Sequence, residues 1–231
     1  MGGIPKAGIP LRTVKSFVIR IGRMTAAQKQ AYEAQWPLLG LSATEAFDQQ
    51  RSFGRIAPLV FEIGFGMGQS LITMAQAHPD WNYIGVEVHP PGVGNVLRLG
   101  AEAGLTNLKV YKADAKAVLA DCIADNTLDR VQIFFPDPWH KTRHHKRRLI
   151  QGEFVQELRP KMKIGGVLHL ATDWEPYAKH MMNVLSAAEG FSNCHGAGAY
   201  TSEHERPPTK FEQRGQRLGH GVWDMLFKRD S

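Results

Sequence analysis

From Pro58 onward the chain alternates between two kinds of apolar pattern. Short β-rich runs fall at Pro58–Ile63, Tyr83–Val88, Lys109–Lys112, Val131–Phe135 and Gly166–Thr172. Between them, Gln69–Ala77, Val93–Ala103, Leu149–Leu158 and Tyr177–Ala187 carry apolar residues at helical spacing. Strand–helix alternation of this kind predicts an α/β fold, a mostly parallel central sheet with helices on both faces. A last run, Val222–Phe227, follows a Gly/Pro/polar stretch and suits a late strand inserted at the sheet edge. Residues 1–40 show little periodicity beyond a short helix around Thr25–Trp36. They are expected to form a basic arm, partly disordered when nothing is bound, ahead of one domain over residues 41–231.

Composition narrows the class. A chain of 231 residues is long enough for one domain with a real core, and 43% hydrophobic against 22% charged residues excludes global disorder. No run of ~18 apolar residues occurs, so no membrane partner is expected. The N-terminus lacks an apolar leader, and Lys6 stands where a myristoylation signal wants Ser or Thr. Cys122 and Cys194 lie far apart with no Cys-x-x-Cys, which argues against a disulfide framework and a thiolate zinc site. The expectation is a cytoplasmic protein without a metal.

Charge sharpens the picture further. Lys plus Arg number 28 against 22 acids, and the excess is concentrated. Lys6, Arg12, Lys15, Arg20, Arg23 and Lys29 precede the first acid, and Lys141, Arg143, Lys146, Arg147 and Arg148 form a second acid-free run. The rest of the chain is mildly acidic. Two basic segments on an acidic body are how a polyanion footprint is often built.

The first run ends in Phe61-Glu62-Ile63-Gly64-Phe65-Gly66-Met67-Gly68, just before a helical stretch. Gly64, Gly66 and Gly68 allow a tight turn and bring backbone N–H groups to a ligand at a helix start. The spacing is G-x-G-x-G, not the dinucleotide G-x-G-x-x-G, and Glu62 precedes the loop. A carboxylate there repels a pyrophosphate but suits a ligand bearing an ammonium, as S-adenosylmethionine does. Glu87 closes the second run, where an acid can accept both ribose hydroxyls, and Asp114 closes the third, within reach of an adenine amino group. Acids at three successive strand ends converge on one crevice, and S-adenosylmethionine is the cofactor they suit.

The fourth run leads into Pro136-Asp137-Pro138-Trp139-His140-Lys141. Pro138 pushes Asp137 out of the α region, preorganising one carboxylate beside an indole. Ring and acid together can receive a nucleobase, the one stacking and the other accepting N–H donors. The basic run from Lys141 to Arg148 is then well placed to hold phosphates. Within it, His144 and His145 lack partners at metal-ligand spacing and read as solvated or phosphate-contacting. His169 reads as a satisfied structural residue. Ala171-Thr172-Asp173-Trp174 sets another acid and indole at a strand end. Pro207 to Gly215 forms a polar loop whose base, aromatic and acid are unusual for a linker.

These segments resemble the bacterial tRNA (guanine-N7-)-methyltransferase family. The resemblance runs from about Ser16 to the C-terminus. It rests on Glu-Ile-Gly-Phe-Gly-Met-Gly (62–68), Pro-Asp-Pro-Trp-His-Lys (136–141), Ala-Thr-Asp-Trp (171–174) and Thr-Lys-Phe-Glu-Gln-Arg-Gly (209–215), in order. It implies a Rossmann-like class I S-adenosylmethionine-dependent methyltransferase fold, and guanine 46 of the tRNA variable loop as target. Glu62, Glu87, Asp114 and Asp137 match the family's cofactor-binding acids, with Asp137 also at the position assigned an active-site role. Lys141, Asp173, Thr209, Lys210, Phe211 and Glu212 match its substrate-binding positions, and Arg143, His144, His145, Lys146, Arg147 and Arg148 its RNA-contacting segment. The expected partner is tRNA, with no obligate protein partner implied.

Guanine N7 has a lone pair and no proton, so in-line attack on the sulfonium methyl needs no general base, only positioning. A carboxylate on the purine's Watson–Crick edge would bind the developing positive charge and select guanine over adenine. Asp137, Asp173 and Glu212 are the candidates, unranked by sequence. A methyltransferase acting on a small molecule or an adenine amino group is the nearest rival. An RNA-binding module without catalysis and a nicotinamide dehydrogenase fit less well.

Overall fold

A computed structural model describes residues 16–17, 22–201, 206–207 and 221–231. Thr209, Lys210, Phe211 and Glu212 lie outside the described residues. Five parallel strands form the body of the sheet: β1 (Leu59–Ile63), β2 (Asn82–Val86), β3 (Leu108–Tyr111), β4 (Leu128–Phe134) and β5 (Met162–Thr172). Two more, β6 (Phe191–Asn193) and β7 (Trp223–Arg229), complete it in the order β3-β2-β1-β4-β5-β7-β6. The strands of the body are buried on both faces. Leu59, Phe61 and Ile63 of β1 enter one core while Val60 enters the other. That is why β1 reads as a continuous apolar run broken only by Glu62.

Helices α1 (Ala26–Leu39), α3 (Gln69–Ala77) and α4 (Pro90–Glu102) contribute Leu39, Leu71, Val93 and Leu97 to one core. The opposite core takes Val118 from α5 (Ala115–Asp121), Phe154 from α6 (Gly152–Leu158) and Met181 from α7 (Glu175–Ser186). A short α2 (Gln49–Phe53) precedes β1. The helix expected around Thr25–Trp36 starts at a capping box, in which Gln28 N–H donates to Thr25 Oγ1 (3.2 Å) and Thr25 N–H to Gln28 Oε1 (2.9 Å). It then packs along α4.

Two expectations need correction. Val222–Phe227 is not an edge strand. β7 runs antiparallel between β5 and β6, with Leu170 paired to Met225 and Asn193 to Phe227, and the three-residue β6 takes the edge. The helix expected from Val93 begins at Pro90, because two prolines at the first helical positions lack N–H groups that would have no partner there anyway.

Candidate active site

Strand order reverses at β1, with β2 on one side and β4 on the other, so the connections leaving β1 and β4 diverge there. A cavity of about 310 Å³ opens at that point. Gly64 after β1, Glu87 after β2, Asp114 after β3 and Asp137 after β4 all line it. So four of the expected residues meet. Glu62 lies beneath, 2% exposed, while Lys141 is exposed and Asp173 half-buried outside the lining.

The glycine loop is held by what surrounds it. Gly68, at φ +73, opens α3 where a Cβ would stand 1.9 Å from Val96 of α4, so that close helix contact requires glycine. Gly64, at φ +74, has nothing within 4 Å of where its Cβ would point, which leaves the backbone open towards the cavity. Glu87 does more than close β2. One carboxylate oxygen accepts from Gly66 N–H (2.9 Å), and the other from Val88 and His89 N–H (2.7 and 3.0 Å). It therefore fixes the loop's curvature, and three of its roughly four acceptor sites are engaged. Asp114 caps α5 by accepting from Lys116 N–H at 3.1 Å.

Glu62 is the unusual group. Its Oε2 is buried with no hydrogen-bond partner among the described residues. Burial, helped by the neighbouring Glu87 charge, pushes its carboxyl up to about 8. One oxygen of a buried carboxyl thus keeps free acceptor capacity among the described residues, two positions ahead of the open turn at Gly64.

The fourth strand ends in strain. Phe135 (φ 52) and Trp139 (φ 46) both adopt the left-handed region, on either side of Pro136-Asp137-Pro138. Such a conformation costs bulky residues on the order of 1–3 kcal/mol each and persists only where neighbours enforce it. Those neighbours are visible. Phe135 N–H donates to Ala171 O at 2.8 Å. Trp139 is covered by the Arg147 guanidinium at 3.7 Å and donates Nε1–H to Ser16 O at 3.1 Å. Arg147 also donates to Phe17 O at 3.3 Å, so both Ser16 and Phe17 join the cavity wall. His140 meets Trp174 edge-on at 4.4 Å, bringing the corner after β4 and the Asp173-Trp174 corner after β5 together.

The basic run divides into two parts. Thr142–Arg147 forms a 3-10 turn on which Arg143 and Lys146 are exposed, as is Lys141 ahead of it, with His144 and His145 half-buried. Arg148, expected to contact RNA, is instead 4% exposed. Its Nε donates to Pro138 O at 2.9 Å, and its guanidinium covers Tyr177 at 4.8 Å. It buttresses the corner, and Arg147 is largely engaged by Trp139 and Phe17. Sequence reasoning missed Ser16, Phe17, Phe134 and Phe135 as wall residues, since no local pattern announces a backbone carbonyl or an apolar wall.

Sheet order, the glycine turn and acids at successive strand ends define the Rossmann-like class I methyltransferase fold. The solved 16S rRNA (adenine(1408)-N(1))-methyltransferase from Catenulisporales acidiphilia, described with cosubstrate SAM, superimposes with a TM-score of 0.56 at 18% identity. That match covers 83% of this chain and 96% of that one. The 16S rRNA methyltransferase KamB gives 0.55 at 14% identity, covering 92% and 97%. A family described as putative methyltransferase matches residues 56–225. The tRNA (guanine-N(7)-)-methyltransferase of Pseudoalteromonas atlantica is 55% identical over 97% of this chain and 95% of its own length. That of Pseudomonas aeruginosa (strain UCBPP-PA14) is 57% identical over 95% and 91%. The chain belongs to the tRNA (guanine-N(7)-)-methyltransferase family.

Proposed function

We propose that the protein transfers the methyl group of S-adenosyl-L-methionine to N7 of guanine 46 in the tRNA variable loop, giving 7-methylguanosine. The observation that carries this is Glu62 Oε2, buried without a hydrogen-bond partner among the described residues, just ahead of a glycine turn at a cavity rimmed by Glu87, Asp114 and Asp137. Family membership supports a tRNA guanine as acceptor. The donor set suits S-adenosylmethionine. Glu62 offers an acceptor for its ammonium, Glu87 the remaining acceptor capacity for a ribose, and Asp114 an acceptor for the adenine amino group. The open backbone at Gly64 leaves room for close approach.

When bound, S-adenosylmethionine supplies an electrophilic methyl carbon, which the guanine N7 lone pair takes while the carbon–sulfur bonding pair stays on sulfur. The protein's share is positioning. Asp137, held out of helical conformation by Pro138, faces the cavity as a fixed negative charge. Positive charge grows on the purine as N7 is alkylated, and a carboxylate near its N1–H and N2–H donors stabilises that growth more than the starting guanine. Asp137, Asp173 and Glu212 remain the candidates for this contact. Phe134 and Phe135 wall the cavity. Lys141, Arg143 and Lys146 are the exposed cations for backbone phosphates. Thr209, Lys210, Phe211 and Glu212 join the substrate side by family resemblance.

Incubating the protein with methyl-labelled donor and undermodified tRNA, followed by nuclease digestion and mapping, tests this directly. Label in 7-methylguanosine at position 46 is expected. Label in N6-methyladenosine, or transfer only to small molecules, would overturn the proposal.

A further inference from the structure

A chain of buried polar groups links β4, β5 and β7, and none of its members lines the cavity. Arg206 donates Nε–H and an Nη2 hydrogen to the two oxygens of Asp224, at 2.7 and 2.8 Å, and neither side chain is exposed. Asp224 Oδ1 also meets His169 Nε2 at 2.8 Å, and His169 Nδ1 meets Arg130 Nη2 at 3.0 Å. A guanidinium has no acceptor, so His169 Nδ1 must carry the lone pair and its Nε2–H must donate to Asp224. Histidine is therefore neutral here, in keeping with the burial that lowers it. Burial by itself would raise Asp224, but the His169 hydrogen bond and the Arg206 guanidinium bring it down to about 2, so it stays ionised. The result is a bidentate pair whose carboxylate is itself clamped from behind.

That clamp fixes the plane of one guanidinium, which lies over two rings. Arg206 Cζ is 5.4 Å from the Phe134 centroid and 5.2 Å from that of Phe135. Both rings form the cavity wall, Phe135 is in the strained left-handed conformation, and Asp137 follows two residues later. Among the described residues, the Arg206 guanidinium meets Asp224, Pro207 O and these two rings.

We propose that Arg206 is a positioning residue for methyl transfer: locked flat by Asp224, it holds the Phe134–Phe135 wall and so sets where Asp137 stands. The proposal rests on the methyltransferase reading above. Lysine lacks the planar fork and the stacking face, yet keeps the charge beside Asp224, which makes Arg206→Lys the informative change. Asp224→Asn removes the clamp's charge while leaving the arginine in place.

The test pairs kinetics with hydrogen exchange measured on the peptide 134–139, whose amides belong to Phe134, Phe135, Asp137 and Trp139 because the prolines have none. For Arg206→Lys, kcat on tRNA is expected to fall about tenfold or more, with donor Kd weakened by clearly less than kcat falls. Exchange in 134–139 should accelerate about tenfold while β1 stays protected. Asp224→Asn should give the same pattern, and serves alone if Arg206→Lys does not fold. Unchanged exchange at 134–139 would overturn the proposal, as would a drop in melting temperature with kcat per folded molecule unchanged. If wild type transfers no methyl to tRNA, the functional reading falls, and the exchange measurement still decides whether Arg206 holds the wall.

Discussion

Replacing Glu62 with glutamine separates stability from binding in a way that the geometry makes quantitative. Burial, helped by the Glu87 charge, pushes the carboxyl up to about 8 in the folded chain from the 4.5 of an ordinary glutamate. Because the folded value is the higher, the unfolded chain holds fewer protons between pH 4.5 and 8, and stability falls as pH rises through that window. The handicap from this one group is about 3 kcal/mol at pH 7 and about 5 kcal/mol above pH 9, to order of magnitude. Glutamine cannot ionise, though its own buried amide lacks a partner and costs about 1–3 kcal/mol. Glu62→Gln is therefore neutral or slightly destabilising at pH 5 and more stable than wild type at pH 9. The gain in melting temperature is several degrees, at ~2–4 °C per kcal/mol.

Donor binding moves the other way. If Glu62 receives the ligand ammonium as proposed, it must be ionised to do so, and below pH 8 wild type loses a proton from Glu62 as the donor binds. The variant binds more weakly and loses that proton release. Melting scans from about pH 5 to 9, with calorimetry in buffers of different ionisation enthalpy, read both effects. A melting difference that does not change with pH, or a variant that binds donor like wild type with the same proton release, would refute the reasoning.

Three other changes probe separate parts of the site. Asp137→Asn should lower kcat by on the order of 10², clearly more than it weakens donor or tRNA binding, in single-turnover and binding assays, because the lost charge acts most on the transition state. Near-normal turnover would remove that role. Changing Arg143 and Lys146 together to alanine should weaken tRNA binding and flatten the log–log salt dependence by about 1 for each phosphate left without its cation. Equal loss of donor affinity in a titration would show the turn to be structural. Arg148→Ala should destabilise the fold by about 2–3 kcal/mol in denaturant unfolding, since it strips Pro138 O of its charged donor and Tyr177 of its cation. A selective effect on RNA affinity without loss of stability would contradict that account.

The parallel strands, and the acids that follow them, were legible because each is announced locally. An apolar run ends in a carboxylate, and the glycines after Glu62 mark the turn. Other features depend on residues far apart in sequence. Arg148 looks like its basic neighbours until Pro138 and Tyr177 are seen to enclose it. β6 has three residues and no period to detect, so the place of β7 beside it could not be inferred. Glu87 reads as a ribose acceptor from its position, but its bond to Gly66 N–H spans a turn and a helix. Phe135's backbone carries no sequence signature either, because positive φ in a phenylalanine is enforced by its surroundings.

The placement of β7 has a consequence for how the molecule is made. β5 and β6 are both synthesised before Trp223–Arg229; β6 takes its strand pairing from that stretch, and β5 the pairing of the margin that faces away from β4. Until it emerges from the ribosome, the nascent chain displays an unpaired margin of eleven-residue β5, ready to capture any extended peptide nearby. Growing chains stalled short of Trp223 should therefore be conspicuous clients of chaperones, however complete their first four strands.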